Sequence, residues 1–121
     1  IRRQRQMSIR DRLFTPSETR PNYIFQTFLY ASIMCRQQTL KVAPALLYIH
    51  RAASDSYSPV IEMGEPRQPK IPVNNFTFFE DEFRKRLQTL LEEIFSENEP
   101  FTQTEDIKKC SYCDFKAICK R

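Results

Sequence analysis

The sequence predicts an α/β unit, α+β within this chain: two main helices packed on a small sheet, followed by a cysteine-bearing tail. Three observations point there. Apolar residues recur at three- and four-residue spacing over 22–38 and again over 77–96, the period of a helix with a packed face. Between them lie short apolar runs bounded by prolines and turn-forming residues, the pattern of brief strands. The last twelve residues carry three of the four cysteines. At 121 residues the chain has the length of one domain or part of one.

Residues 1–21 are polar and Arg-rich and read as a basic, irregular or partly helical lead-in. The first helix follows, with Asn22 as its N-cap and Tyr23, Ile24, Phe25, Phe28, Leu29, Tyr30, Ile33, Met34 and Cys35 as its apolar positions. It is apolar around much of its circumference, so it is expected at the centre of the packing. Ala45-Leu46-Leu47-Tyr48-Ile49-His50 reads as a buried strand, and Tyr57–Met63 as a second strand that Pro59 assigns to an edge. Three prolines make 64–72 an exposed connection, with 71–76 a short third strand. Thr77-Phe78-Phe79-Glu80 has the form of a capping box, a hydroxyl three residues before a carboxylate. Phe79, Phe83, Leu87, Leu90, Leu91, Ile94 and Phe95 carry the second helix to Ser96, and Asn98-Glu99-Pro100 ends it. The organisation is thus a lead-in (1–21), a helix–strands–helix core (22–96) and a tail (97–121).

Composition removes several classes of function. A single glycine, Gly64, excludes a phosphate-cradling G-x-G-x-x-G or Walker loop. No apolar run approaches the ~20 residues of a membrane span, and Ile1-Arg2-Arg3 does not open a signal peptide, so no membrane partner and a cytoplasmic location are expected. Net charge is +4 and unevenly spread. Residues 1–22 hold six Arg against Asp11 and Glu18; residues 108–121 hold Lys108, Lys109, Lys116, Lys120 and Arg121 against Asp114; the segment between is acidic. Basic ends around an acidic middle suit contact with a polyanion, because Lys and Arg displace counterions from phosphates. A solvated surface fits the same numbers.

Cys110-x2-Cys113-x5-Cys119 is the strongest chemical signal. Two thiolates separated by two residues can bind one metal centre from a tight turn, and a third can return to it. Zinc or an iron–sulfur cluster normally takes four ligands, so a fourth is expected outside this chain. Cys35 lies in the apolar helix and reads as core packing. His50 ends an apolar strand and reads as structural, although either residue would complete a zinc site. Disulfides rank lower, given the tight spacing and the absence of a secretory signal.

Two of these features together resemble a known family. Gln26-Thr27-Phe28-Leu29-Tyr30 is similar to the Q-x-x-x-Y motif of RecB-type nucleases in the PD-(D/E)XK superfamily. The tail is similar to the iron–sulfur signature of its cluster-bearing members, the AddB-type helicase–nuclease subunits and related CRISPR-associated nucleases. The resemblance covers about residues 10–121. It implies a DNA exonuclease or helicase–nuclease subunit acting in recombination and repair, with Mg²⁺ or Mn²⁺ at the catalytic centre and a 4Fe-4S cluster. It also implies accessory catalytic roles for Gln26 and Tyr30 and cluster ligation by Cys110, Cys113 and Cys119. Its partners would be single-stranded DNA, an upstream part of the same polypeptide and a helicase subunit. In the family the metal-binding carboxylates and lysine precede the Q-x-x-x-Y helix, and the first cluster cysteine lies further upstream still. Neither has a matching position here: Asp11 is flanked by arginines and Glu18 sits among turn residues. The expectation is therefore the C-terminal portion of a larger nuclease domain, spanning 1–121 and inactive alone. The other reading that stays open is a zinc-stapled nucleic-acid- or protein-binding module without catalysis.

Gln26 and Tyr30, four apart, share a helix face and can project into one site. An amide and a phenol can hydrogen-bond phosphate, sugar or metal-bound water without carrying charge. Read without the family, Tyr30 is better taken as an aromatic core residue whose hydroxyl finds a buried partner, and the resemblance reverses that preference.

Overall fold

The computed structural model describes residues 13–14, 21–37, 39–64 and 67–121. Two long helices dominate it: α1, Asn22–Gln37, and α2, Thr77–Phe95. Between them a 3-10 turn (Ile49–Arg51) precedes a hairpin of β1, Glu62–Met63, and β2, Ile71–Pro72; a short helix α3, Ile107–Ser111, opens the tail. The strands are antiparallel, with Glu62 opposite Pro72 and Met63 opposite Ile71. The fold is α+β, as the periodicities predict.

An aromatic cluster joins the two helices. Phe28 of α1 and Phe83 of α2 are buried, and Phe76, immediately before α2, is fully enclosed. Phe83 stands at the centre, with ring centroids 5.5 Å from Phe14, 5.7 Å from Phe25, 5.9 Å from Phe76 and 6.1 Å from Phe28. Tilted and edge-on rings at such distances add to the stabilisation from apolar burial alone. Ile61 and Val73 close the cluster from the hairpin side, and Ala31 lets the helices approach. Leu13 is also buried in this core and Phe14 packs against it. The lead-in thus contributes to the core at these two positions, which the sequence pattern separates from it; the rest of 1–20 lies outside the described residues.

The predicted strand over 45–50 is corrected. Ala45 forms one isolated antiparallel bridge with Val60, beside a hydrogen bond from Leu46 N to Pro59 O of 2.8 Å. The chain then turns into the 3-10 segment, and Leu47 and Ile49 are exposed. A side chain holds this loop where a ladder was expected. The Tyr57 hydroxyl accepts from Tyr48 N at 2.7 Å and donates to Leu46 O. The second and third strands shrink to β1 and β2, although Val73 N still donates to Ile61 O at 2.9 Å. Pro72 has no N–H to extend the ladder.

Gly64 has a specific role where β1 leaves the hairpin. A Cβ there would lie 3.1 Å from both Lys70 Cα and Pro69 O, backbone atoms that cannot swing aside. Glycine permits that approach, whereas a Cβ would require the return strand to shift by a few tenths of an ångström.

Helix starts differ by a residue or two from expectation. Phe25 N donates to Pro21 O at 3.1 Å, so α1 begins on the Pro21 carbonyl and Asn22 is already helical. Phe76 holds the N-cap position of α2, and the preceding Asn75 accepts from Thr77 N through its Oδ1 at 3.1 Å. This side chain satisfies an orphan amide of the first turn. Thr77 is therefore not a capping-box hydroxyl, and Glu80 is released for another task. Glu80 Oε1 accepts from the buried Ser32 hydroxyl of α1 at 3.3 Å and lies 3.9 Å from Arg36 Nε and 3.7 Å from Arg84 Nε. One carboxylate thus links the helices on the polar side of the aromatic cluster.

Candidate functional site

α1 has two faces. Phe28, Ala31 and Ser32 face the core, while Tyr23, Gln26, Tyr30 and Ile33 are exposed. Spacings of three and four along a 3.6-residue helix place these four outward residues on one ridge. On it, Gln26 Nε2 donates to the Tyr30 hydroxyl at 2.9 Å, across one helical turn. Tyr30 is 56% exposed, so it is not a core residue. Its hydroxyl hydrogen remains available to donate, and the Gln26 carbonyl oxygen remains available to accept. The pair presents one donor and one acceptor, uncharged and pre-oriented, to whatever approaches α1.

The tail cysteines stand on a chain of tight turns. Cys113 N donates to Cys110 O at 3.1 Å, Lys116 N to Cys113 O at 3.2 Å, and Ile118 N to Phe115 O at 3.0 Å. These turns keep Cys110, Cys113 and Cys119 within one short, tightly folded stretch of chain. All four cysteines are free thiols, with Cys110 and Cys113 half-buried and Cys119 exposed. Thiols are the soft donors that zinc and iron–sulfur centres take. Among the described residues no group of three or more His, Cys, Asp or Glu is drawn together to hold a metal ion. The turns thus present the donors without gathering them.

The two candidate fourth ligands lie elsewhere. Cys35 packs against the apolar core, as its helix position suggests. His50 is exposed in the 3-10 turn, its ring 6.1 Å from that of Tyr48. It does not end a buried strand. The described residues likewise gather no carboxylate set for a catalytic divalent metal, and Asp11 and Glu18 lie outside them. This chain's described part therefore does not fit a Mg²⁺ or Mn²⁺ site.

Two features have no signature in the sequence pattern. The Ser32–Glu80 link joins residues 48 apart, beyond the reach of any local motif. The tail is closed on itself by Gln103 Nε2 donating to Cys119 O at 3.0 Å and Arg121 Nε donating to Gln103 Oε1 at 3.2 Å. It ends in a Schellman motif, with Arg121 N donating to Lys116 O and Lys120 N to Ala117 O. Lys120 sits at the left-handed position of that motif, φ 56°, where glycine is the usual occupant. Among the described residues no helix is long and apolar enough to cross a membrane.

Comparison with curated proteins and with solved structures returned no match. A family model is matched by residues 9–120, a span that includes the Gln26–Tyr30 helix, the hairpin, α2 and all three tail cysteines. On that match, the chain belongs to the PD-(D/E)XK nuclease superfamily.

Proposed function

We propose that this chain is the strand-positioning and cysteine-bearing part of a DNA nuclease of the AddB type, acting with a helicase subunit in cytoplasmic recombination and repair. The observation that carries the reading is the hydrogen-bonded Gln26–Tyr30 pair on the exposed face of α1, in a chain of a nuclease superfamily. The pair's free donor and free acceptor suit a phosphate oxygen and a sugar or metal-bound water, so its work is to orient the scissile strand. The carboxylates and lysine that would hold Mg²⁺ or Mn²⁺ belong, on this reading, to segments preceding Gln26 in the same polypeptide, and this chain alone does not cut DNA.

Cys110, Cys113 and Cys119 would supply three ligands to a 4Fe-4S cluster completed by an upstream cysteine. Such a cluster, when bound, is a structural staple and needs no redox change. The exposure of large apolar side chains supports an additional layer of protein. Eighteen are exposed among the described residues, including Ile33 and Met34 of α1 and Leu91, Ile94 and Phe95 of α2, against seven buried core residues.

Cleavage of end-labelled single-stranded DNA by the chain joined to its upstream sequence, in Mg²⁺ or Mn²⁺, tests the reading. Divalent-dependent cleavage with iron and sulfide in the protein supports it. Absence of cleavage with stoichiometric zinc at the cysteines would favour the zinc-stapled binding module.

A further inference from the structure

The tail carries its large apolar side chains on the outside. Tyr112 is 94% exposed, Ile118 79% and Phe115 66%. Among the described residues none beyond Leu87 belongs to the core or packs against it, so these rings are not a satellite of the helix interface. All three side chains belong to the run of tight turns that also carries the cysteines. The Gln103–Cys119 and Arg121–Gln103 hydrogen bonds and the Schellman end tie the last turns to the start of the tail.

Charge identifies what would cover it. Residues 108–121 carry five cationic side chains and one carboxylate. Lys109 is paired with Asp106 at 3.6 Å, whereas Lys116 and Lys120 form no ion pair among the described residues. Cations next to outward-facing rings match a ligand that offers anionic backbone and flat apolar faces together. A single nucleic-acid strand does so; a duplex has its bases already stacked on each other. An acidic protein surface would satisfy the lysines and leave the rings without flat partners.

We infer that Tyr112 and Phe115 form a stacking platform for two bases of single-stranded DNA, with Lys116 and Lys120 neutralising the phosphates on either side. This rests on the DNA-directed role proposed above and assigns part of it to the tail, independently of any metal at the cysteines.

The test is fluorescence anisotropy of a labelled oligo-dT of ~20 nucleotides with the full 121-residue chain, over a series of salt concentrations. Single strand should bind more tightly than a duplex of equal length. Tyr112→Ala and Phe115→Ala should each weaken binding about 5- to 150-fold and leave the salt slope unchanged, and Tyr112→Trp should retain affinity. Lys116→Gln with Lys120→Gln should lower the salt slope by about 1.4, about 0.7 for each phosphate no longer neutralised. Phe78→Ala, an exposed ring at the start of α2, should change nothing. The inference is overturned if wild type does not bind the oligonucleotide, if duplex binds equally well, or if the tail ring variants bind like wild type. In the last case a self-association that these substitutions abolish would identify these tail side chains as a protein interface. Failure here is separable from failure of the nuclease reading. With the upstream sequence joined to the chain, an active nuclease without the platform would still turn over DNA with ring variants at unchanged affinity, whereas a platform in a polypeptide without nuclease activity would bind DNA that no divalent ion allows it to cut.

Discussion

Replacing Phe83 with alanine probes the packing that carries both helices. Phe83 is 5% exposed and its ring meets four other phenylalanines within 5.5–6.1 Å. Truncating a buried Phe costs about 3–5 kcal/mol through lost transfer energy and the cavity left behind. Here the higher end applies, because Phe14, Phe25, Phe28 and Phe76 are rigid rings that cannot collapse into the space. A domain of this size has roughly 6–18 kcal/mol in hand at ordinary values per residue. Only seven apolar residues are buried among those described, which places this chain toward the lower limit. Followed by helical circular dichroism in urea, with a slope of roughly 2 kcal/mol/M, Phe83→Ala should lower the midpoint by about 2 M. Phe78→Ala, five residues earlier and 81% exposed, should stay within about 0.5 kcal/mol of wild type. Equal losses for the two variants, or a Phe83→Ala midpoint within about 0.5 M of wild type, would refute the assignment of faces on α2.

Glu80→Ala leaves the buried Ser32 hydroxyl without its acceptor and should cost about 1–3 kcal/mol, while Glu80→Gln, which keeps an acceptor oxygen, should cost less; urea midpoints of the two variants check this. Tyr57→Phe removes the hydroxyl that serves Tyr48 N and Leu46 O, and should cost about 1–2 kcal/mol with faster amide exchange at Tyr48. Lys120→Gly relieves the left-handed strain at the end of the tail and should stabilise it by about 1 kcal/mol, seen as greater exchange protection of the Arg121 amide. In the protein that contains the upstream cysteine, Cys113→Ser should abolish stoichiometric iron and sulfide and cost several kcal/mol. Unchanged stability there would argue that the tail holds no structural metal.

Both long helices were legible because their signal is local and repeated. Residues 22–37 and 77–95 carry apolar side chains at helical spacing over four or more turns, and the observed ends fall within a residue of the predicted ones. The short strands were not legible to the same degree. Ala45–His50 is apolar enough for a buried strand, but burial depends on a neighbour, and beyond the Ala45–Val60 bridge none of the described residues pairs with it. The Tyr57 hydroxyl takes the backbone groups that a ladder would have used. Thr77-x-x-Glu80 satisfies the capping pattern, yet the helix starts on Phe76 and Asn75, two residues before Thr77, takes the first-turn amide. Glu80 is then decided by Ser32 and Arg36, contacts between elements that no window of sequence contains.

At the candidate site, the helix period shows that Gln26 and Tyr30 share a face but not which way it points. That direction depends on Phe28, Ala31 and Ser32 meeting α2, and it turns the pair outward. The cysteine spacing is readable directly, but how the thiols sit relative to one another depends on turns whose hydrogen bonds change register after Lys116. The closure of the tail by Gln103 and Arg121 joins residues 18 apart and could not be read from spacing.

On the proposed function, the Gln26–Tyr30 pair orients a DNA strand for hydrolysis. That role is tested most directly by steady-state cleavage of single-stranded DNA by the full polypeptide that includes the upstream carboxylates, comparing wild type with Tyr30→Phe and Gln26→Ala in Mg²⁺ and in Mn²⁺. An exposed i,i+4 pair contributes only about 0.2–0.5 kcal/mol to stability, so both variants should fold with wild-type melting behaviour. Loss of an orienting interaction should nevertheless lower kcat/KM by about 10- to 100-fold. Wild-type cleavage rates in both variants would contradict the account.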